Sequence, residues 1–146
     1  MSTRELIEPK SEELLRASAD NFNSLLLVTI DYLNQHHLSL QQYAHFVGAR
    51  FASHWSSNRT PMEVAEGMAY NFMSVGAKIE ELAGDDQEAF FIMSGWLPEK
   101  DLLRYAENGQ DTDQFIEVAR PIAQSQNCSF EMERKGDRVT CKFKRK

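Results

Sequence analysis

The end of the chain carries the pattern that most constrains how it folds. The dipeptide Gly136-Asp137 separates two short strand-like segments and is typical of a two-residue type II′ turn. A turn at this position makes Phe130 face Phe143 and Glu131 face Lys142, because facing residues lie at equal distances from the turn. The apolar pair then lies on one face of the hairpin and the charged pair on the other. The sequence therefore predicts a C-terminal β-hairpin that is buried on one side.

The same register separates the two cysteines of the chain. Cys128 faces Arg145 and lies four strand positions from Met132, the partner of Cys141, a distance of about 13 Å that no disulfide spans. Residues 1–10 contain no apolar segment of the kind that directs a chain to secretion. We therefore expect both thiols to be reduced and the protein to lie in the cytoplasm.

The segment 88–96 is apolar at nearly every position and rich in strand-forming residues. Alternate side chains of a strand point to opposite faces, so Phe90 and Ile92 share one face while Phe91 and Met93 share the other. Both faces are apolar, which predicts a strand that is covered twice. We expect helices on one face, and either further helices or a second subunit on the other.

Helix signals occupy most of the remaining chain. Ser39 and Gln42 have the spacing of a capping box, and Thr60-Pro61 opens another helix with proline at its first position. Gly84 provides a helix end, and Pro121 should kink or restart the last helix. The predicted helices cover residues 11–36, 40–55, 61–83, 98–107 and 111–126.

Together these segments predict an α+β fold with three N-terminal helices, one apolar strand, two short helices and the closing β-hairpin. We expect the three strands to form a small antiparallel or mixed sheet. At 146 residues the chain has the length of one domain, to which we assign residues 11–146 after a flexible N-terminus over residues 1–10. No apolar run reaches the roughly 18 residues that a membrane span requires, so we expect no span.

The charge of the chain is unevenly distributed. Its formal net charge is −6, yet the segment 131–146 contains seven basic residues against three acidic ones. The rest of the surface is therefore strongly acidic and would repel phosphate groups, which argues against a nucleic-acid partner. The basic tail fits an edge strand that uses lysines to avoid aggregation, and an acidic partner is the alternative.

Residues that could carry chemistry are few. The four histidines, His36, His37, His45 and His54, show no metal-ligand spacing and no carboxylate partner in the sequence. Cys141 is the one plausible nucleophile, but the hairpin register places it on the buried face, where a thiol is usually inert. We therefore assign no catalytic residue and no metal ligand. The sequence does not specify a cofactor, and a heme bound to His45 or His54 is the one specific alternative.

The middle of the chain is rich in aromatic residues and methionine. Such side chains build either an ordinary core or an apolar pocket with an adaptable wall. Small residues at Ala44, Gly48 and Ala52 allow close helix packing or leave room for a bound molecule. Phe46 points away from the core stripe of its helix, so it should meet another helix, a second subunit or a ligand. The candidate ligand-binding residues are Tyr43, Phe46, Phe51, His54, Met68, Phe72, Phe91 and Trp96.

The order of elements and the closing sequence from Gly136-Asp137 to Cys141-Lys142-Phe143 resemble the 4-vinyl reductase or hydrocarbon-binding domain family. Domains of that family commonly end in a Gly-Asp turn followed by a strand that reads Cys-x-Phe. The resemblance implies a small-molecule-binding or protein-interaction domain, often dimeric, with an apolar pocket between helices and sheet. Cys141 and Phe143 are the positions that correspond to the family, and both look structural.

Three functions are compatible with these observations. The first is the binding of a small apolar ligand by a sensory or accessory domain. The second is a structural or assembly subunit that docks on a partner protein or forms a homo-oligomer, and the third is a small enzyme that uses a histidine or Cys141. A closed cavity larger than about 300 Å³ would favour the ligand, a flat apolar patch assembly, and a polar cleft around His54 catalysis. Because the sequence contains few residues in catalytic patterns, we favour a role without catalysis.

Overall fold

The computed structural model describes residues 10–97 and 111–146. In chain order the elements are α1 Ser11–Gln35, α2 Leu40–Ala52, α3 Pro61–Ser74, β1 Lys78–Gly84, β2 Glu88–Ser94, a 3₁₀-helix Thr112–Val118, α4 Ala119–Ser125, β3 Cys128–Lys135 and β4 Arg138–Arg145. The strands form one antiparallel sheet in the order β1-β2-β4-β3. The α+β prediction is confirmed, and the predicted helix over residues 98–107 lies outside the described residues.

The third helix is shorter than predicted, and the sheet has four strands rather than three. α3 ends at Ser74, and the next segment forms the edge strand β1 instead of continuing the helix. Gly76 adopts the left-handed conformation with a φ of 98°. The Ala77 N–H donates to the Phe72 carbonyl at 3.0 Å, which closes the helix in a Schellman motif. The predicted helix end at Gly84 is therefore wrong.

The residue types of β1 explain this difference. The strand reads Lys-Ile-Glu-Glu-Leu-Ala-Gly, and most of these residues favour helix when they are judged alone. Pairing with the strongly apolar strand β2 overrides that local preference. Gly84 instead has a φ of 144° at the turn into β2, where a Cβ would lie 2.4 Å from the Cα of Ala89.

The other helix boundaries follow the predicted capping residues closely. The Ser39 Oγ accepts a hydrogen bond from the Gln42 N–H at 3.2 Å, and Thr60 with Glu63 forms a complete capping box. α2 ends at Ala52, three residues before the predicted end. The last predicted helix is divided at Val118 into a 3₁₀-helix and α4, and Pro121 lies in the first turn of α4 as a restart requires.

The C-terminal hairpin has the predicted register. Phe130 pairs with Phe143, Met132 with Cys141, and Cys128 with Arg145. Gly136 has a φ of 63° in the two-residue turn, and both cysteines are buried, unpaired thiols.

The core lies between one face of the sheet and the helices. Ala89, Phe91 and Met93 of β2 point to this face together with Val139 and other inward side chains of β4, and all are buried. α3 packs across β1, β2 and β4, while α4 packs on β3. The predicted covering of β2 is thus present on one face.

The opposite face of β2 carries Phe90 and Ile92, and both side chains are half-buried. Their neighbours across β4 are Lys142 and Thr140, so this face combines apolar and polar residues. A second cover over this face stays a prediction.

α2 packs closely on the 3₁₀-helix and α4 through Gly48. A Cβ at Gly48 would lie 2.2 Å from the backbone oxygen of Val118 and 3.0 Å from the Cδ of Pro121. The small residue therefore serves helix packing, one of the two roles that the sequence allowed. Within the described part of the chain, no helix has both the length and the apolar character needed to cross a membrane.

Candidate functional site

A cavity of about 720 Å³ lies between α1, α2, α3 and the segment that follows β2. Its wall is mostly apolar and aromatic. Leu26 of α1, Tyr43 of α2 and Met68 of α3 are among the side chains that line it, and Val118 and Ile122 close the side next to α4. The volume falls within the range of about 300–1,000 Å³ that small-molecule sites occupy.

Six of the eight candidate ligand-binding residues line this cavity. They are Tyr43, Phe51, His54, Met68, Phe72 and Trp96. Residues from two helices and two connecting segments are therefore brought to one place, although they are spread over more than fifty positions of the sequence.

The other two candidates lie elsewhere. Phe91 is fully buried in the core, where its ring is 6.1 Å from that of Phe72 and 6.2 Å from that of Phe143 between centroids. Phe46 is 59% exposed and does not line the cavity, and the Arg50 guanidinium lies 5.1 Å from its ring centroid. Phe91 thus packs in the core against the lining residue Phe72, while Phe46 lies on the outer surface of α2.

Aromatic rings in mutual contact form one side of the cavity. Trp96 meets Phe72 edge to face with centroids 5.5 Å apart, and it stacks on Phe115 at 6.3 Å. Phe115 in turn lies 6.4 Å from Tyr43. The Trp96 indole N–H is buried and finds no acceptor among the described residues, so the ring is held by packing rather than by a hydrogen bond.

α1 supplies a wall of the cavity that the sequence analysis did not assign to a site. Leu15, Phe22 and Leu25 line the cavity, and each is also exposed to solvent, Leu25 by 67%. The cavity therefore reaches the surface along α1. The signal in the sequence is that the apolar residues of α1 cover more than one helix face, since a helix with a single buried face needs only one stripe.

A second, polar cavity of about 570 Å³ adjoins the first. The two share three lining residues, His54, Trp55 and Asn71. The remaining lining of the second cavity, which we call the polar groove, consists of Arg59, Glu63, Glu66, Gly67 and Tyr70.

The loop after α2 and the first turns of α3 position the side chains of the polar groove. The Arg59 guanidinium lies 4.9 Å from the Trp55 ring centroid, and its Nε donates to the Ser56 Oγ at 2.9 Å. Glu63 caps α3, and hydrogen bonds from the backbone and side chain of Thr60 lower the pKa of its carboxyl group. Both charged groups are thus held in place by hydrogen bonds or ring contacts with their neighbours.

His45 lies in a different environment from His54. Its Nε2 is 3.2 Å from the Glu117 Oε2, and Glu117 also accepts two hydrogen bonds from Arg120. The bonds from Arg120, and then that from His45, lower the pKa of Glu117. Arg120 also donates to the Phe130 carbonyl at 2.9 Å, so the cluster ties α2 to the 3₁₀-helix, α4 and β3. The fold supplies a carboxylate partner that no local spacing in the sequence showed.

Neither cysteine has the environment of a nucleophile. Burial raises the pKa of both the Cys128 and the Cys141 thiol, and neither residue lines the cavity or the polar groove. Across residues 10–97 and 111–146, no group of three histidine, cysteine or acidic side chains is arranged to hold a metal ion.

No protein-family model matches the sequence, and no curated protein matches it significantly. The resemblance of the closing hairpin to the 4-vinyl reductase family stays a prediction.

Proposed function

We propose that this protein binds a small apolar molecule in the cavity beside α1 and acts in the cytoplasm as a sensory or accessory module. The observation that carries the proposal is a 720 Å³ cavity with an aromatic and aliphatic wall. Transfer of an apolar molecule from water into such a wall is favourable by about 25 cal/mol for each Å² of apolar surface removed from water.

The arrangement of polar groups favours binding over catalysis. The side chain of a general base is usually oriented by a hydrogen-bonded partner. His54 lines the site but has no side-chain hydrogen bond to any residue that the structure describes. His45 has such a partner in Glu117 but does not line the cavity. Cys141 belongs to β4 and is fully buried. The site thus offers an apolar surface rather than an assembled catalytic group.

Intrinsic fluorescence provides a direct test of this proposal. The chain has two tryptophans, Trp55 and Trp96, and both line the cavity. N-phenyl-1-naphthylamine, an uncharged apolar fluorophore, should quench the tryptophan emission in a saturable manner with one probe per chain. Absence of a saturable change would contradict the proposal.

A matched pair of variants on α2 locates the probe. Val47→Phe adds volume inside the cavity and should weaken probe binding by roughly tenfold, which corresponds to about 1.4 kcal/mol. Phe46→Ala changes the adjacent position outside the cavity and should leave the affinity unchanged. Equal affinities for both variants would show that the probe binds elsewhere.

A second candidate function, assembly with another protein or with a second copy, rests on the solvent-exposed side of α1, which adjoins the cavity at Leu25. α1 carries four exposed apolar side chains on one side of the helix, Leu14, Leu25, Val28 and Tyr32. Successive members are eleven, three and four residues apart, which are the spacings of one helix face. A surface of this kind is typical of an interaction site.

Sedimentation velocity tests this second candidate. If α1 mediates self-association, Val28→Glu should shift the wild-type protein toward the monomer, because it places a charge in the apolar row. Phe46→Glu, on an exposed apolar residue of α2, is the matched control and should not change the sedimentation coefficient. A wild-type protein that is monomeric at all concentrations would exclude a homo-oligomer.

A further inference from the structure

We propose that the ligand is an uncharged amphiphile, with an apolar body in the cavity and a hydroxyl or carbonyl end group at the junction with the polar groove. This inference rests on the proposed function and specifies the class of ligand. Its starting point is that the apolar cavity and the polar groove share His54, Trp55 and Asn71.

The two polar residues at the junction are suited to a single polar end group. An imidazole and a carboxamide each contain both a hydrogen-bond donor and an acceptor. Neither the His54 imidazole nor the Asn71 carboxamide is engaged in a side-chain hydrogen bond with another described residue. Both residues are exposed, so each exchanges water for the ligand without leaving a buried group unsatisfied.

The apolar wall at the junction is held in place by the fold. Trp55 packs against α3 at Gly67, where a Cβ would lie 2.7 Å from the edge of the indole ring. The Arg59 guanidinium also contacts the indole, 4.9 Å from its ring centroid. An end group at the junction therefore meets an ordered aromatic edge on one side and the polar side chains His54 and Asn71 beside it.

The charges of the groove favour a neutral end group. Two carboxylates, Glu63 and Glu66, line the groove together with one guanidinium, that of Arg59. The guanidinium is already stacked on Trp55 and bonded to Ser56, and Glu63 has a pKa below its ordinary value. A carboxylate on the ligand would meet a net negative groove, whereas a hydroxyl or carbonyl group would not.

Competition against N-phenyl-1-naphthylamine with three eight-carbon probes tests this proposal. The probes are n-octane, 1-octanol and octanoate at pH 8, which share a chain and differ in the end group. In the wild-type protein we expect 1-octanol to bind more tightly than octanoate. His54→Ala and Asn71→Ala should each weaken 1-octanol by roughly five- to tenfold, the effect of one neutral hydrogen bond, and should weaken n-octane clearly less than 1-octanol.

A charge variant tests the electrostatic part of the proposal. Glu66→Gln should strengthen octanoate by about two- to fivefold, because it removes one carboxylate from the groove, and should leave 1-octanol unchanged. Glu133→Gln, an exposed residue of β3 outside the groove, is the matched control and should affect neither probe.

The outcomes separate this inference from the proposed function. Suppose that n-octane and 1-octanol both displace the fluorophore, but that the substitutions at His54 and Asn71 do not change the affinity for 1-octanol. The cavity then binds apolar molecules, and the amphiphile inference is wrong. Tighter binding of octanoate than of 1-octanol would overturn the neutral end group. If the fluorophore itself shows no saturable binding, the proposed function fails together with the inference.

Discussion

Gly48 lies where α2 crosses the backbone that joins the 3₁₀-helix to α4. An added Cβ would lie 2.2 Å from the Val118 carbonyl oxygen, and that oxygen belongs to the backbone and cannot rotate away. Gly48→Ala should therefore lower the free energy of unfolding by about 1–3 kcal/mol, although alanine favours helix over glycine by about 1 kcal/mol. Urea denaturation followed by circular dichroism measures this difference.

Gly67 is the control for this prediction, because it is a second helical glycine whose Cβ would meet a side chain rather than backbone. The nearest atom is the indole Cη2 of Trp55 at 2.7 Å, and Trp55 is half-buried. Gly67→Ala should cost less stability than Gly48→Ala and should change the tryptophan fluorescence as the ring moves. A more stable Gly48→Ala protein would show that α2 and α4 are not in close contact in solution.

Two phenylalanines illustrate how strongly the effect of one substitution depends on burial. Phe91 is 0% exposed and packs against Phe72 and Phe143, so Phe91→Ala should lower the free energy of unfolding by about 3–5 kcal/mol. Phe46 is exposed on α2, and Phe46→Ala should change the same quantity by less than about 0.5 kcal/mol. A large loss for Phe46→Ala, measured by urea denaturation, would mean that another part of the protein covers this ring.

At the scale of elements, Glu117 connects α2 with the C-terminal half of the fold. Its folded-state pKa is lowered by Arg120 and His45, so the ionised carboxylate stabilises the native state above its unfolded pKa. This contribution is lost as the pH falls through the lower pKa of the folded protein. Glu117→Gln should therefore destabilise the protein at pH 7, and the difference from wild type should shrink toward pH 3.

Paired urea titrations at pH 7 and pH 3 measure this dependence. Glu66→Gln is the matched control, because Glu66 is exposed and forms no ion pair with the described residues, so its substitution should have little effect at either pH. A difference between Glu117→Gln and wild type that persists unchanged at pH 3 would show that packing, rather than charge, explains the role of Glu117.

The elements also show which parts of the fold a sequence can predict. The hairpin β3–β4 follows from a local pattern, because the turn determines its register. The strand β2 follows from its continuous run of apolar, strand-forming residues. β1 does not, because its strand conformation depends on pairing with β2 across a turn. Gly76 was the available signal in the sequence for the end of α3, where it forms part of a Schellman motif. Glycine inside a helical pattern is, however, also compatible with close helix packing.

At the scale of the whole molecule, the same distinction applies to the site. Composition identifies the aromatic and methionine side chains of α2 and α3, and six of the eight candidates line the cavity. It cannot identify the wall from α1, because that wall depends on how far α1 stands from α2 and α3. Phe46 and Phe91 show the limit in another way, since helical position alone does not tell a lining side chain from a surface or core one.

The position of α1 leads to a prediction about ligand binding and motion. α1 lies on one side of the cavity and contributes Phe22 and Leu26 to its wall, so a bound molecule should stabilise the packing of this helix against the rest of the protein. We expect saturating N-phenyl-1-naphthylamine to slow amide hydrogen exchange over residues 22–29, as measured by mass spectrometry. At a hundredfold excess over the dissociation constant, linkage predicts about 2.7 kcal/mol of global stabilisation.

Amides at the hairpin turn, residues 135–138, provide an internal control for this measurement. They lie outside the cavity lining and should exchange through local opening, so the probe should not change their rates. Unchanged exchange over residues 22–29, at a probe concentration that saturates the tryptophan signal, would mean that α1 does not form a wall of the binding site. Slower exchange confined to α1 and the cavity-lining parts of α2 and α3 would place the ligand between this helix and the body of the protein.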